Sequence, residues 1–434
     1  MRAMLVIAVF SSLCFSQEKP FTLKDCIDMG FKNSVELKIS FENLKQSDLS
    51  TKKYFAPFLP SVDFSFANNL LGYDAGGNDI VFGTVNPSTY NSSVSVNYNF
   101  FNMFKDVDSY SYYQKRYLGA ELSFASIKQD VAYEIISSYY RVLNSEKTLQ
   151  VRKKALAQKI EYLKLAESLF RSGIKSKSDY LNAQIQIKKS EVSLLDSEND
   201  LKAVRARLNN LLGILPENET NLTDDIEYLQ PDYSLEKLTR NVFEGNYDWK
   251  KAKISREAVA ISTSLEERAL WPSIGIDGNF SVSLSRYMKN SLEWTHNGRL
   301  DQNASWGVGL SISYPIFDGA INSIKYQLSR SALDIEDFGI EALKRDLLEK
   351  TYIYYNNIMK VFEELSLYKE QVILSRESMD LIQSRYRSGI SSFLDLTDAE
   401  LNYISAEIGY YQMIYSYKTQ KYDIERLSGI KLLW

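Results

Sequence analysis

Residues 170–184 read FRSGIKSKSDYLNAQ, and residues 386–400 read YRSGISSFLDLTDAE. The two stretches match without a gap at an offset of 216. The register persists downstream, where Leu211-Leu212-Gly213-Ile214 meets Leu427-Ser428-Gly429-Ile430. It persists upstream, where Tyr98, Phe101 and Asn102 meet Tyr314, Phe317 and Asp318. Earlier still the offset becomes 212, pairing Phe21-Thr22-Leu23 with Tyr233-Ser234-Leu235 and Pro60-Ser61-Val62 with Pro272-Ser273-Ile274. A repeat of this reach means one structural unit used twice. The chain therefore divides into two co-linear repeats, 17–214 and 233–430, with a linker at 215–232 and a short tail at 431–434.

Each quoted stretch has the form of a helix ending and another beginning. Gly173 and Gly389 suit the left-handed position after a helix C-terminus, and each is followed by an apolar residue. Ser176-x-x-Asp179 and Ser392-x-x-Asp395 then resemble capping boxes opening the next helix. On either side, proline is absent. All eight prolines fall at 20, 57, 60, 87, 216, 231, 272 and 315, which leaves two long proline-free stretches rich in helix-forming residues. Apolar residues recur there at steps of three and four: Leu156, Ile160, Leu163, Ala166 and Phe170, then Leu181, Ile185, Val192, Leu195, Leu201, Val204, Leu208 and Leu211. This is helical period with a coiled-coil flavour. A helix from Met103 to Arg171 would be roughly 100 Å long at 1.5 Å per residue, and such a rod needs lateral partners. The returning segments Ser178–Leu212 and Leu394–Leu427 are expected to supply them, with Gly319–Arg387 as the second rod.

Ahead of each rod the period switches from helix to strand. A first helix is expected over Leu23–Tyr54 and again over Leu235–Leu270. Then Val62, Phe64 and Phe66 alternate with Ser61, Asp63 and Ser65, and Val94, Val96 and Tyr98 alternate with Ser93, Ser95 and Asn97. The second half repeats this in Ile274, Ile276, Gly278, Phe280, Val282 and Leu284, and in Val308, Leu310, Ile312, Tyr314 and Ile316. Two β-hairpins follow, at about 61–101 and 273–317. Strands of about ten residues with one apolar and one small polar face fit tilted transmembrane β-strands, although half-buried soluble hairpins share the alternation. Tyr73, Tyr90, Phe101, Trp306 and Phe317 are placed at strand ends, where interfacial aromatics belong. Four strands cannot close a membrane barrel, which takes about eight at least, and an open edge in lipid is not tolerated. Strands that span a membrane here require an oligomer.

The first residues and the charge agree with export. Arg2, an apolar run from Ala3 to Phe15, and Cys14 and Ser16 at −3 and −1 from Gln17 read as a signal peptide over 1–16. Ser11-Ser12-Leu13 before Cys14 is not a lipobox. Past the signal only Cys26 remains, so no intramolecular disulfide forms. A net charge of −4 supplies no basic footprint for nucleic acid. No apolar run reaches 18 residues beyond the signal, so any membrane crossing is by strands.

The signal peptide, the duplicated helix–strand–strand–long helix–helix unit, PSV and PSI at the strand starts, YPIFDG ahead of the rod and the Gly…Asp…Ala tip together resemble the TolC-like outer membrane efflux proteins. The resemblance runs from about Phe21 to Ile430 and implies an α+β membrane protein. In it, three copies give four strands each to a 12-stranded outer membrane β-barrel, continued by a long periplasmic α-helical barrel of coiled-coil hairpins. It implies a passive exit duct for drugs and small toxic molecules. Its partners would be outer membrane lipid, a periplasmic adaptor protein, and an inner membrane transporter of the RND or ABC type that supplies the energy. By motif, Asp395 and Asp398 would form a gate and selectivity ring at the periplasmic tips. Ser178, Asp179, Tyr386 and Arg387 would be gate contacts, and Gly173 and Gly389 the tip turns. Tyr386 matches a family tyrosine that latches the closed tip. The family's arginine two residues after the tip glycine is replaced by Ser391, which leaves Arg387 as a substitute donor. Asp179 and Asp395 read equally as helix caps.

Nothing in the chain suggests an enzyme. The one histidine, His296, falls in an external loop, no glycine precedes a lysine and no GxGxxG occurs. Neither a metal site nor a cofactor site is expected. The rivals are a protein-secretion duct on the same fold, and a secreted or periplasmic coiled-coil scaffold.

Overall fold

The computed structural model describes residues 20–69, 89–223, 228, 230–231, 233–287 and 300–430. The expected signal peptide, the 431–434 tail, Tyr73 and His296 lie outside them, as does part of each strand-connecting loop. In chain order the elements are α1 (Leu23–Asn33), α2 (Val35–Phe55), a 3₁₀ turn (Ala56–Phe58), β1 (Ser61–Asn69), β2 (Thr89–Asn102), α3 (Lys105–Arg171) and α4 (Lys177–Leu212). The series then recurs as α5 (Leu235–Gly245), α6 (Tyr247–Arg268), β3 (Ser273–Tyr287), β4 (Leu300–Ser313), α7 (Ile321–Arg387) and α8 (Phe393–Leu427). Both rods have 67 residues.

Three details differ from the sequence reading. The expected first helices are each broken in two, at Ser34 (ψ 120°) and at Asn246 (ψ 128°). Ser34 turns its hydroxyl to the Leu37 amide and starts α2 anew, the competition with helix that such side chains offer. Strand β4 begins at Leu300, so Trp306 sits mid-strand rather than at an end, while Tyr314, Ile316 and Phe317 fall beyond it. On α3 the buried stripe is Val151, Ala155, Lys159, Tyr162, Ala166 and Leu169, which shares Ala166 with the expected line and elsewhere runs one position ahead of it. Ile160 and Phe170 are exposed.

The described chain forms two compact units. One is drawn from Ile39–Ala125 and Tyr247–Arg345 and holds the sheet. Its strands run β1-β2-β3-β4, all antiparallel, with β1 and β4 as open edges. Register aligns Val62, Val96, Phe280 and Trp306 on one face, and Asp63, Ser95, Ser281 and Ser305 on the other. The apolar face is bare: Phe64 is 71% exposed and Trp306 79%. Helices of this unit also lie in a row. Thr51 Oγ1 donates to the Tyr113 carbonyl, Lys115 pairs with Glu257 at 2.6 Å, and Arg256 pairs with Asp337 at 2.8 Å, giving the order α2-α3-α6-α7. Strand passes to rod through two left-handed residues in each half, Met103-Phe104 and Gly319-Ala320. Asn102 and Asp318 then accept the amides of Asp106 and Asn322 and so begin the rods.

The other unit is drawn from Met1–Lys38, Ser126–Asn246 and Asp346–Trp434. Arg205–Glu146 joins α4 to α3, Tyr140 against Tyr415 joins α3 to α8, and Phe362 against Tyr417 joins α8 to α7. This is a second four-helix row, α4-α3-α8-α7. Each short first helix docks on the end of the last helix of its half, Asn33 Nδ2 donating to the Leu212 carbonyl and Asn246 Nδ2 to the Leu427 carbonyl. Cys26 lies on the buried side of α1, and burial pushes its thiol up to about 12. The α5 dock leaves no room for a side chain at Gly245, where a β-carbon would lie 1.8 Å from the Ser428 carbonyl oxygen. Gly245→Ala is expected to cost about 3 kcal/mol through forced backbone movement, read as a lowered thermal midpoint in detergent. An unchanged midpoint would show that the dock yields.

Candidate gate at the helical tips

The tips close as glycine-dependent helix ends. Gly173 has φ +75° and Gly389 φ +79°. The Ile174 amide reaches back to the Leu169 carbonyl (2.9 Å) and Gly173 to Phe170 (3.0 Å), with Ile390 to Arg385 and Gly389 to Tyr386 (both 2.9 Å) repeating the pattern. These are Schellman bonds, and only glycine takes the left-handed position without steric cost.

After the turns the two copies part. At α8 the capping box is complete: the Ser392 hydroxyl accepts the Asp395 amide, and the Asp395 carboxylate accepts the Ser392 amide at 2.9 Å. The Ser392 amide, and then the Ser392 hydroxyl, hold the Asp395 carboxyl below its usual range. At α4 only the serine half is made, Ser176 accepting the Asp179 amide at 3.2 Å. Asp179, freed from capping, is half-buried, while Ser178 is exposed. Asp395 and Asp398 lie on one exposed face of α8, three residues apart. The face between them and α3 carries Phe393, Leu396, Thr397 and Glu400 inward.

Tyr386 is not on the surface. It is 0% exposed, in a core built from all four tip helices: Tyr162, Ala166 and Leu169 of α3, Ala183 of α4, and Phe393 and Leu396 of α8. Its ring meets Phe393 edge-on at 5.9 Å, and its hydroxyl has no hydrogen-bond partner among the described residues. Burial, then the nearby Asp179 charge, pushes that hydroxyl up to about 12. Arg387 is exposed and makes no hydrogen bond or ion pair among the described residues. The polar tie between the tips comes instead from Lys175, whose Nζ donates to the Ser391 carbonyl at 2.8 Å and stands 5.5 Å from the Tyr386 ring centre. Thus the position where the family resemblance lacks its arginine is bound by a lysine from the opposite hairpin. Lys175 was not singled out by the sequence, because its partner is a backbone oxygen 216 residues away.

A second feature escaped the sequence reading. About three turns along α3 from the tip, Lys159 and Glu400 form an ion pair at 2.9 Å with side chains 8% and 1% exposed. A lysine in line with Val151, Ala155, Tyr162 and Ala166 is the signal that could have found it. No group of three or more acidic, histidine or cysteine side chains among the described residues is placed to hold a metal. No described helix is long and apolar enough to cross a membrane. The surface that suits lipid is the bare face of the sheet.

Comparison with known proteins agrees with this architecture. The family profile described as Outer membrane efflux protein matches residues 50–214 and 238–430. Outer membrane protein TolC of Escherichia coli is 20% identical over 411 residues, covering 92% of this chain and 78% of that protein. Among solved structures, the CmeC outer membrane channel of Campylobacter jejuni superposes with a TM-score of 0.80 at 14% identity, covering 94% of this chain and 85% of that one. The open state of the MtrE channel of Neisseria gonorrhoeae gives 0.76 at 17% identity, covering 94% and 89%. The fold is that of the outer membrane channels, with a strand layer for the membrane and long helices for the periplasm, and the chain serves export rather than catalysis. This chain belongs to the outer membrane efflux protein family.

Proposed function

We propose that three copies of this chain form the outer membrane exit duct of a tripartite efflux system, passively conducting drugs and other small toxic molecules. The observation that carries it is the pair of open-edged rows. A four-stranded sheet with β1 and β4 unpaired cannot lie in lipid alone, and three such sheets joined edge to edge give a closed 12-stranded barrel. Helix rows have matching unpaired edges. Leu181, Ile185, Val192 and Leu195 line the free side of α4, and Leu367, Ile373, Leu374 and Leu381 that of α7, all exposed in the single chain. One stripe covering the other in a neighbouring copy buries both.

Energy enters through an inner membrane transporter of the RND or ABC type, joined to the duct by a periplasmic adaptor. The tips set the resting aperture, with Asp395 and Asp398 around the opening, Ser178, Asp179, Tyr386 and Arg387 behind it, and Gly173 and Gly389 turning the chain. Reconstituted protein is expected to give discrete cation-preferring conductance steps in planar bilayers and to run as a heat-dissociable trimer. A detergent-free soluble monomer would end this reading. Val192→Asp, in the middle of the α4 edge, is expected to shift the trimer to monomer at least tenfold, since one desolvated carboxylate per interface costs several kcal/mol. Light scattering in detergent measures it, and an unchanged mass would remove α4 from the interface.

A further inference from the structure

In the sheet-bearing unit, α2, α3 and α6 line an open groove of about 790 Å³. Its floor exists because large side chains are missing there. Gly119 and Ala120 of α3 and Ala258 of α6 line it, and a β-carbon at Gly119 would meet only Ile254, at 3.9 Å. Glycine weakens a helix interior relative to alanine, and here alanine would fit without a clash. Packing therefore gives no reason for Gly119. What the glycine leaves is depth.

The charges along the groove are all of one sign. Lys115, Arg116 and Lys251 line it, and no carboxylate among the described residues does. Lys115 is engaged by Glu257 at 2.6 Å. Arg116 and Lys251 are exposed and form no ion pair among the described residues. Arg116 is steadied by Tyr112, whose hydroxyl accepts Nη1 at 3.4 Å and whose ring centre lies 5.9 Å away. Lys115 beside Glu257 and Gly119 beside Ile254 show that α6 runs antiparallel to α3. Arg116 therefore stands about one turn to one side of Gly119 and Lys251 about one turn to the other, roughly 9 Å apart along the axis at 1.5 Å per residue. From α2, Asn43 and Gln46 add side-chain amides that have no partner among the described residues.

The duplication supplies a control. At the repeat offsets, Arg116, Gly119 and Lys251 correspond to Ala332, Ile335 and Ile39, all apolar. The repeated unit thus folds without cations or a glycine at these places, and the fold does not account for them in the first half.

We infer that this groove binds a small organic anion, a carboxylate carried on an apolar body. The Arg116 guanidinium offers the carboxylate paired donors, and Lys251 adds attraction from the other side of the floor. The body rests on Gly119, Ala120 and Ala258. A concave site of several hundred Å³ with an apolar floor and a few convergent polar groups suits a ligand of this kind. The groove lies within one chain, so it stands apart from the duct reading.

The test is calorimetric titration of the full-length protein in phosphatidylcholine nanodiscs, with 2-naphthoate as the probe and empty nanodiscs as the blank. One saturable site per chain is expected, and the neutral 2-naphthamide is expected to bind at least tenfold more weakly. Arg116→Gln combined with Lys251→Gln is expected to weaken naphthoate at least tenfold and to leave naphthamide unchanged. Gly119→Ile, which fills the floor with the side chain that the second repeat carries at Ile335, is expected to abolish binding of both. Gly119→Ala tests the same point without crowding α3: it is expected to raise the thermal midpoint and to weaken naphthoate. A parent protein with no saturable site overturns the inference, as does naphthamide that binds as tightly as naphthoate. Naphthoate that binds the double variant like the parent removes the two cations from the site. Binding that neither Gly119 variant weakens places the probe outside the groove and overturns the inference equally.

Discussion

Tyr386→Phe is expected to leave the closed tip intact, and Tyr386→Ala to open it. The two variants separate a hydroxyl latch from a packed wedge. The Tyr386 ring is fully buried, one of seven core residues drawn from four helices, and deleting a buried aromatic ring costs about 3–5 kcal/mol through lost burial and the cavity left behind. That cost falls on a core to which α3, α4, α7 and α8 all contribute. The hydroxyl, by contrast, has no partner among the described residues, and an unsatisfied buried hydroxyl is a liability of about 1–3 kcal/mol. Removing the oxygen alone therefore gains stability or changes little. Conductance and protease cleavage at the tips measure both. A Tyr386→Phe channel as open as Tyr386→Ala would restore the latch and sink the wedge.

Asp398→Asn is expected to abolish most cation preference and weaken divalent-cation block by about tenfold, which corresponds to about 1.4 kcal/mol. Threefold symmetry multiplies each substitution by three, and closely spaced carboxylates in a narrow mouth act together. Asp395→Asn serves as the contrast. Its carboxylate is already engaged by the Ser392 amide, so its removal disturbs the start of α8 as well as the charge. The pH dependence follows from the same bond. Asp395's folded value is depressed, so its support of α8 is complete above the ordinary carboxylate range and is lost only as pH falls through that lower value. Bi-ionic potentials at pH 7 measure the selectivity. A channel whose selectivity survives Asp398→Asn would place the filter elsewhere, with Asp63 and Asp277 on the polar face of the sheet as the next residues to test.

Much of this was readable before any coordinates. The constant offset, the proline gaps and the switch of period located both rods and all four strands, because each rests on local chemistry that repeats. The breaks at Ser34 and Asn246 were missed because both residues sit inside otherwise helical composition, and what ends the helix is the dock onto Leu212 and Leu427 far along the chain. Apart from Ala166, the expected stripe on α3 differs from the buried one by one position for a related reason. A helix in a row has two neighbours, and its two buried flanks need not coincide with its most apolar line. Lys159, Lys175 and Glu400 take their meaning from partners more than 200 residues distant. Asp179 and Asp395 looked alike in sequence and differ in structure, one free and one bound, and only the cap geometry tells them apart.

The open-edged sheet has a kinetic consequence. A lone chain that presents Phe64, Trp306 and Leu310 to water with two unpaired strand edges is a nucleus for off-pathway aggregation in the periplasm. Its lifetime there has to be short, so the rate of encounter between newly exported copies governs yield. The expression level at which functional duct appears should accordingly rise more steeply than in proportion to the chain supplied.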